Sequence, residues 1–331
     1  VPHEPGSHPA TPPISFADHT RIEAALANLE LSVRRRLDGL LQGNHLGLVP
    51  GPGSEPGEAR PYYPGDDVRR MDWSVTARTT EAHIRQTVAD RELETWIVAD
   101  VSASLDFGTA LCEKRDLVIA AAAAIAHLTQ GGGNRLGAVI SSGAGLRRIP
   151  ARGGRPHIQY LLRALAEMPR AEPGAAGRGE RGDLAEALEQ LRRPPRRRGL
   201  AVVISDFVGE VDWARSLRAL NSRHDLLAVE VLDPRDLDLP DMGVVTLFDP
   251  ETGRQRDVAT TARLRREFAA KSAQHRAEVA AAIRRAGGAQ LTLRTDRDWI
   301  SDVLRFVIGR KRGWTGAAPI GAAPATAGEA W

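Results

Sequence analysis

Two apolar runs in this chain end in acids, and hydroxyls stand beside both. The first, Trp96-Ile97-Val98-Ala99, delivers Asp100 and, after it, Ser102 and Ser104; the second, Leu200 to Ile204, ends in Ser205-Asp206. Carboxylates and hydroxyls at the spacing Asp-x-Ser-x-Ser are hard oxygen donors, suited to Mg²⁺ or Mn²⁺. Two carboxylates around one divalent ion leave the site near neutral, so an Asp or Glu from another protein can fill an open position. A site of that kind binds rather than cleaves. The same run also has a purely structural reading as the amino-terminal cap of a helix, work that Ser and Asp do constantly.

The elements that position these residues follow from periodicity. Both runs lack polar alternation, as do strands buried on two faces inside a parallel sheet. In open α/β sheets the carboxyl ends of such strands are where ligands bind, because the loops to the helices converge there. Around them, strand and helix alternate. Helices are expected at Arg21–Leu41, Ala110–Thr129, Gly153–Met168, Asp183–Leu191, Val211–Asn221, Thr261–Ala286 and Asp296–Ile308. Further strands are expected at Arg135–Ser141, Leu146–Pro150, Leu226–Leu232 and Gln290–Arg294, with an edge strand at His83–Asp90. A hairpin on the sheet edge is expected around Glu251-Thr252-Gly253. The alternation argues for an α/β fold, a doubly wound and mainly parallel sheet. The organisation that follows is a disordered leader over 1–20, an amino-terminal segment over 21–93, the α/β domain over 94–310 and a disordered tail over 311–331.

Composition narrows the class. The chain has 331 residues, 42% hydrophobic and 26% charged, as in ordinary globular proteins. Its net charge is only +3, although the pI is near 9.4 because most of its basic residues are arginine. The dense run Arg192-Arg193-Pro194-Pro195-Arg196-Arg197-Arg198 directly precedes an apolar strand and reads as a solvated loop, with nucleic-acid binding as the alternative. A single cysteine, Cys112, excludes an internal disulfide and points to the cytoplasm. The longest apolar stretch, Leu117 to Leu128, falls short of the roughly 20 residues a membrane span needs. There is no Gly-x-x-x-x-Gly-Lys-Ser/Thr loop for ATP hydrolysis and no His-Glu-x-x-His zinc set. An enzymatic alternative is a Mg²⁺-dependent phosphatase-like hydrolase with Asp100 as nucleophile, but the second acid such chemistry wants two residues on is Ser102. Ser141, Ser142 and His157 have no spacing that fixes a hydrolase triad.

One segment stands out upstream. Arg60-Pro-Tyr62-Tyr63-Pro64-Gly65-Asp66-Asp67-Val-Arg69-Arg70-Met-Asp72-Trp73-Ser-Val-Thr-Ala-Arg78 is too polar for a core strand. It reads as a loop in which carboxylates hold arginines while Tyr and Trp pack beneath, or as a recognition surface, and the two readings are compatible.

These motifs carry a resemblance. The Asp100-x-Ser102-x-Ser104 loop, with Ile-Ser-Asp206 at a later strand end, resembles the metal-ion-dependent adhesion site (MIDAS) of von Willebrand factor A domains. The pattern Arg60-x-Tyr62-x-Pro64-Gly65-Asp66-Asp67-x-Arg69-x-x-Asp72-Trp73, with Ala77-Arg78, resembles domain-of-unknown-function family fifty-eight. Those bacterial proteins carry a von Willebrand-like domain and are associated with MoxR-type AAA+ ATPases. The resemblance implies a non-enzymatic adaptor working with such an ATPase in assembly or maturation of a complex, binding a client through an acidic residue. It implies Mg²⁺ or Mn²⁺ on Asp100, Ser102, Ser104 and Asp206, and a partner surface of Arg60, Tyr62, Asp66, Asp67, Arg69, Asp72, Trp73 and Arg78. Where von Willebrand sites add a Thr, this chain reads Arg181-Gly182-Asp183, so Asp183 is the candidate fifth ligand.

Overall fold

The order of elements in the computed structural model is α1 (Ile22–Leu40), β1 (Ala59–Pro61), α2 (Trp73–Thr79), β2 (His83–Arg85), β3 (Glu94–Asp100), α3 (Lys114–Thr129), β4 (Arg135–Ser142), β5 (Gly145–Arg152), α4 (Arg155–Ala166) and α5 (Leu184–Arg192), then β6 (Gly199–Ser205), α6 (Trp213–Leu220), β7 (His224–Leu232), α7 (Pro234–Leu237), β8 (Val244–Phe248), β9 (Gln255–Ala259), α8 (Ala262–Arg285), β10 (Ala289–Arg294) and α9 (Trp299–Trp314). The structure describes residues 15–16, 22–40, 59–62, 71, 73–79, 81–85, 93–130, 133–143, 145–170, 184–192, 199–248 and 254–314.

The central sheet runs β10-β7-β6-β3-β4-β5, parallel throughout except for the antiparallel β4–β5 pair at one edge. Its two middle strands, β3 and β6, are the two apolar runs, and both are buried on both faces. Chain order reverses between them: β4 and β5 lie to one side of β3, and β6, β7 and β10 to the other. This is the topological switch point, where successive crossovers diverge to opposite faces and leave a crevice at the strand ends. Gly199 sets the close approach of the two strands, since a Cβ there would lie 1.8 Å from the Glu94 carbonyl oxygen.

Helices cover both faces. Ile97, Ala99, Ile140, Ile204 and Val229 pack under α3, α4 and α9, while Trp96, Val98, Val139, Val203 and Ala228 pack under α5, α6 and α8. The alanine run of α3, Ala120 to Ala126, is buried on every side, because α1 lays Leu29, Val33 and Leu37 over it as an outer layer. Arg36 anchors that layer by pairing with Asp298 at the start of α9.

Several boundaries and placements differ from the sequence expectations. Phe16 falls in the stretch expected to be a leader, yet it is buried and its N–H donates to Asp116 Oδ1 at 2.9 Å. The expected edge strand at His83–Asp90 is the three-residue β2, paired with β1 in a separate two-stranded sheet; residues 86–90 lie outside the described ones. The β8–β9 hairpin is likewise its own sheet and does not extend the central one. Its side chains are almost all exposed, so alternation there signalled strand without signalling what it joins. Within 60–78, the part from Trp73 is helical, and Trp73 is 70% exposed instead of packing beneath a loop. This short helix meets β2 through His83 N–H to Thr76 Oγ1 at 3.0 Å.

Candidate functional site

The register of the sheet places one polar row across its carboxyl end. Asp100 of β3 is opposite Ser141 of β4 and beside Ser205 of β6, Ser205 is opposite Glu230 of β7, and Glu230 is opposite Thr292 of β10. Two residues earlier on the same face stand Val98, Val139, Val203 and Ala228 of the core. The apolar face thus turns polar in one step at the strand ends.

Asp100 is the centre of this row. It is buried, its Oδ1 accepts the Ser102 N–H at 2.9 Å and its Oδ2 accepts the Ser205 hydroxyl at 2.8 Å. Burial, and then the nearby Asp206 carboxylate, push its pKa up to about 6, against these hydrogen bonds. The loop turns immediately: Leu105 N–H donates to Ser102 O at 3.0 Å, and the Ser102 and Ser104 hydroxyls meet at 3.2 Å. From below, Arg115 fastens the loop. Its guanidinium donates to Val101 O at 3.1 Å and Met168 O at 2.7 Å, and its Nε lies 2.5 Å from Asp106.

Asp206 reaches the same rim through an unusual turn. Phe207 has φ of 53°, in the left-handed region that a bulky residue enters only at a cost of roughly 1–2 kcal/mol. Three contacts hold it there. Its N–H donates to Ser205 Oγ at 3.0 Å, its carbonyl accepts from His275 Nε2 at 3.0 Å, and its ring packs 5.0 Å from that of Trp213. Asp206 Oδ2 then receives Lys114 Nζ at 2.9 Å, both side chains being 2% exposed. Lys114 also reaches Asp236 at 3.2 Å. Burial alone would lower the Lys114 pKa, but Asp206 and Asp236 together raise it, so the side chain stays charged. Asp236 belongs to the cap of α7, where its Oδ2 accepts the Asp233 N–H at 2.8 Å, and Asp233 is itself fully buried on Thr109 and Thr295 hydroxyls at 2.6 and 2.7 Å.

No group of three or more His, Cys, Asp or Glu is placed to hold a metal ion among the described residues, so a hard cation here would depend on the serine hydroxyls as well as the carboxylates. The 3.2 Å between the two serine hydroxyls is close to the roughly 3 Å that separates adjacent oxygens around Mg²⁺ at bonds of about 2.1 Å. Asp100, held by neutral donors, is a buried carboxylate with an elevated pKa. Beside it Ser141 Oγ is fully buried with no hydrogen-bond partner among the described residues. Asp206 is less available, since Lys114 takes one oxygen and the Val208 N–H approaches the other at 3.3 Å.

Asp100, Ser102 and Ser104 lie in one turn after β3, and the Asp206 carboxylate is close enough to Asp100 to raise its pKa. Asp183 lies outside the described residues, just before α5. Of the expected partner surface, Trp73 and Arg78 are exposed on α2 and Tyr62 is half-buried, donating its N–H to Ala82 O at 2.7 Å. Arg60 lies in β1, and Asp66, Asp67, Arg69 and Asp72 lie outside the described residues, as does the arginine run from 193 to 198. Sequence reasoning set Ser205 beside Asp206 without a role, and missed Lys114, Asp236 and Ser141 as members of the site. A signal for Lys114 existed: a helix that opens Lys-Arg sets cations against its own dipole, which calls for acids close by.

The sheet order and the helices on both faces define a doubly wound, mainly parallel α/β domain with acids and hydroxyls at its switch point. More specifically, the chain belongs to the family described as "Protein of unknown function DUF58", whose model matches residues 58–278. It is similar to the uncharacterized protein Rv1480 of Mycobacterium tuberculosis, 59% identical over 306 residues that cover 92% of this chain and 95% of that one. A protein of Paracoccus denitrificans described as uncharacterized and in the moxR 3' region is 40% identical over 92 residues, 28% of this chain and 84% of its own. Among solved structures, BatB of Bacteroides thetaiotaomicron matches with a TM-score of 0.39 and 12% identity, over 67% of this chain and 99% of that chain. The SpRpn10 VWA domain matches at 0.38 and 9%, over 65% and 95%. No helix among the described residues is long and apolar enough to cross a membrane.

Proposed function

We propose that this chain is a non-enzymatic adaptor that works in the cytoplasm with a MoxR-type AAA+ ATPase and captures an acidic residue of a client protein through a divalent cation. Asp100, Ser102 and Ser104 would hold Mg²⁺ or Mn²⁺, with Asp206 beside them and Asp183 as a further candidate. Bound there, the cation would supply a positive centre with open positions for a client carboxylate. The chain's own residues do the rest. Ser205 and the Ser102 N–H orient Asp100, Arg115 fixes the loop, and Phe207 aims Asp206 at the rim.

The observation that carries this reading is the register that sets Asp100 beside Ser205-Asp206 at the switch point. The loops around it also expose Phe107, Leu111 and Val208, so the rim offers apolar contact around an acidic centre. Family membership and the Paracoccus relative from the moxR region support the choice of ATPase. A phosphatase role for Asp100 is disfavoured because its neighbour two residues on is Ser102 and not a second acid.

The test is co-purification of the tagged chain with the MoxR-type ATPase and client proteins of the same organism, in Mg²⁺ and in EDTA. Client capture is expected in Mg²⁺, lost in EDTA and lost with Asp100→Ala. Capture that survives both treatments would contradict the proposal.

A further inference from the structure

Lys114 stands where a lysine is costly. It occupies the first turn of α3, where the helix dipole opposes a cation, and only 2% of its side chain is exposed. A buried ammonium persists only when paired, and its partners are Asp206 at 2.9 Å and Asp236 at 3.2 Å. Asp206 is also one of the two carboxylates that the cation reading assigns to the rim. The two roles compete for one side chain. A Mg²⁺ ion ligated through Oδ2 of Asp206, the oxygen that Lys114 holds, would lie within about 5 Å of the ammonium, a distance at which like charges in a poorly hydrated site repel strongly.

Asp100 is held differently. Its hydrogen bonds come from the Ser102 N–H and the Ser205 hydroxyl, which are neutral, so its full charge remains for a cation. Asp206 is neutralised, and the second carboxylate on Lys114, Asp236, shares the ammonium with it.

We propose that Lys114 is an internal competitor of the divalent cation. It keeps Asp206 out of direct ligation, confines direct protein ligands to Asp100, Ser102 and Ser104, and so holds cation affinity low enough that a client carboxylate completes the site. This rests on the cation reading above and adds to it the residue that sets affinity. Asp236 tunes the competition: sharing the ammonium with Asp206 weakens the hold on Asp206.

The two partners predict opposite signs, which makes the idea testable on the full chain with Mg²⁺ and Mn²⁺ alone as probes. By calorimetric titration, and by water-proton relaxation with Mn²⁺, Lys114→Met should bind at least about tenfold more tightly than wild type, because Asp206 is released. Asp236→Asn should bind about threefold more weakly, because the ammonium then falls on Asp206 alone. Circular dichroism verifies that each variant is folded, and if Lys114→Met does not fold, the sign of Asp236→Asn decides. Wild type that binds, with Lys114→Met no tighter or Asp236→Asn tighter, overturns the competitor role and leaves the cation site standing. Absence of binding by wild type and by folded Lys114→Met overturns both.

Discussion

Asp100→Asn should make the cation-free protein more stable at neutral pH, although it removes the central side chain of the site. The folded-state pKa of Asp100 is raised from 3.8 to about 6, chiefly by burial and then by Asp206. A raised carboxylate pKa means that the folded state holds a proton the unfolded state has lost between those two values. Stability from this group is therefore greatest below about pH 4 and is lost as pH rises through about 6. Near pH 7.5, keeping Asp100 ionised in the fold costs about 3 kcal/mol relative to the unfolded chain. Asparagine removes that cost and still accepts the Ser102 N–H, but it leaves the Ser205 hydroxyl without its carboxylate acceptor, a loss of about 1–1.5 kcal/mol. The net gain is about 1.5–2 kcal/mol near pH 7.5 and shrinks by about 2 kcal/mol near pH 4.5, where Asp100 is protonated in the fold. Urea unfolding of both proteins in EDTA at the two pH values measures it. An asparagine variant less stable than wild type near neutral pH, or a difference that does not change with pH, would refute the reasoning.

Other consequences follow from the same geometry. Cation affinity measured by Mn²⁺ titration should fall about tenfold per pH unit below about pH 6, as a proton takes the Asp100 carboxylate. Phe16→Ala should cost about 3 kcal/mol in chemical denaturation, because Phe16 is buried in the core beside α3 and lies outside the segment expected to fold. Arg115→Met should cost about 3 kcal/mol or more in the same assay, since it strands a carboxylate and two carbonyls beneath the Ser102–Ser104 loop. Gly199→Ala should lower the melting temperature by several degrees, as its Cβ meets the Glu94 carbonyl of the adjacent strand and forces β6 from β3.

The sequence made the frame of this fold legible because burial writes itself into composition. Runs such as Trp96–Ala99 and Leu200–Ile204 can only be strands covered on both faces, and the helical periodicities between them leave few topologies. The site was legible in part for the same reason: acids that end central strands must share a rim. What stayed hidden depends on geometry that no local pattern carries. Lys114 and Asp236 are 122 residues apart and meet only because α3 and α7 both begin at that rim. Ser141 showed no sign of a place beside Asp100 until the register set it there, and Ser205, legible only as a strand-end hydroxyl, donates to Asp100. Phe16, in a stretch of Pro, His and Gly, had no periodicity to announce its burial. The β8–β9 hairpin shows the converse limit, since alternation identifies a strand without saying which sheet it joins.

If the turn after β3 is a cation site, Asp100, Ser102 and Ser104 hold one divalent ion at the rim that β3 shares with β6. Anomalous diffraction from a crystal grown in Mn²⁺ would locate that ion. A single strong anomalous peak is expected in contact with Asp100, Ser102 and Ser104, and is expected to vanish in Asp100→Ala crystals. A peak elsewhere, or none at that rim with Mn²⁺ in excess, would contradict that placement.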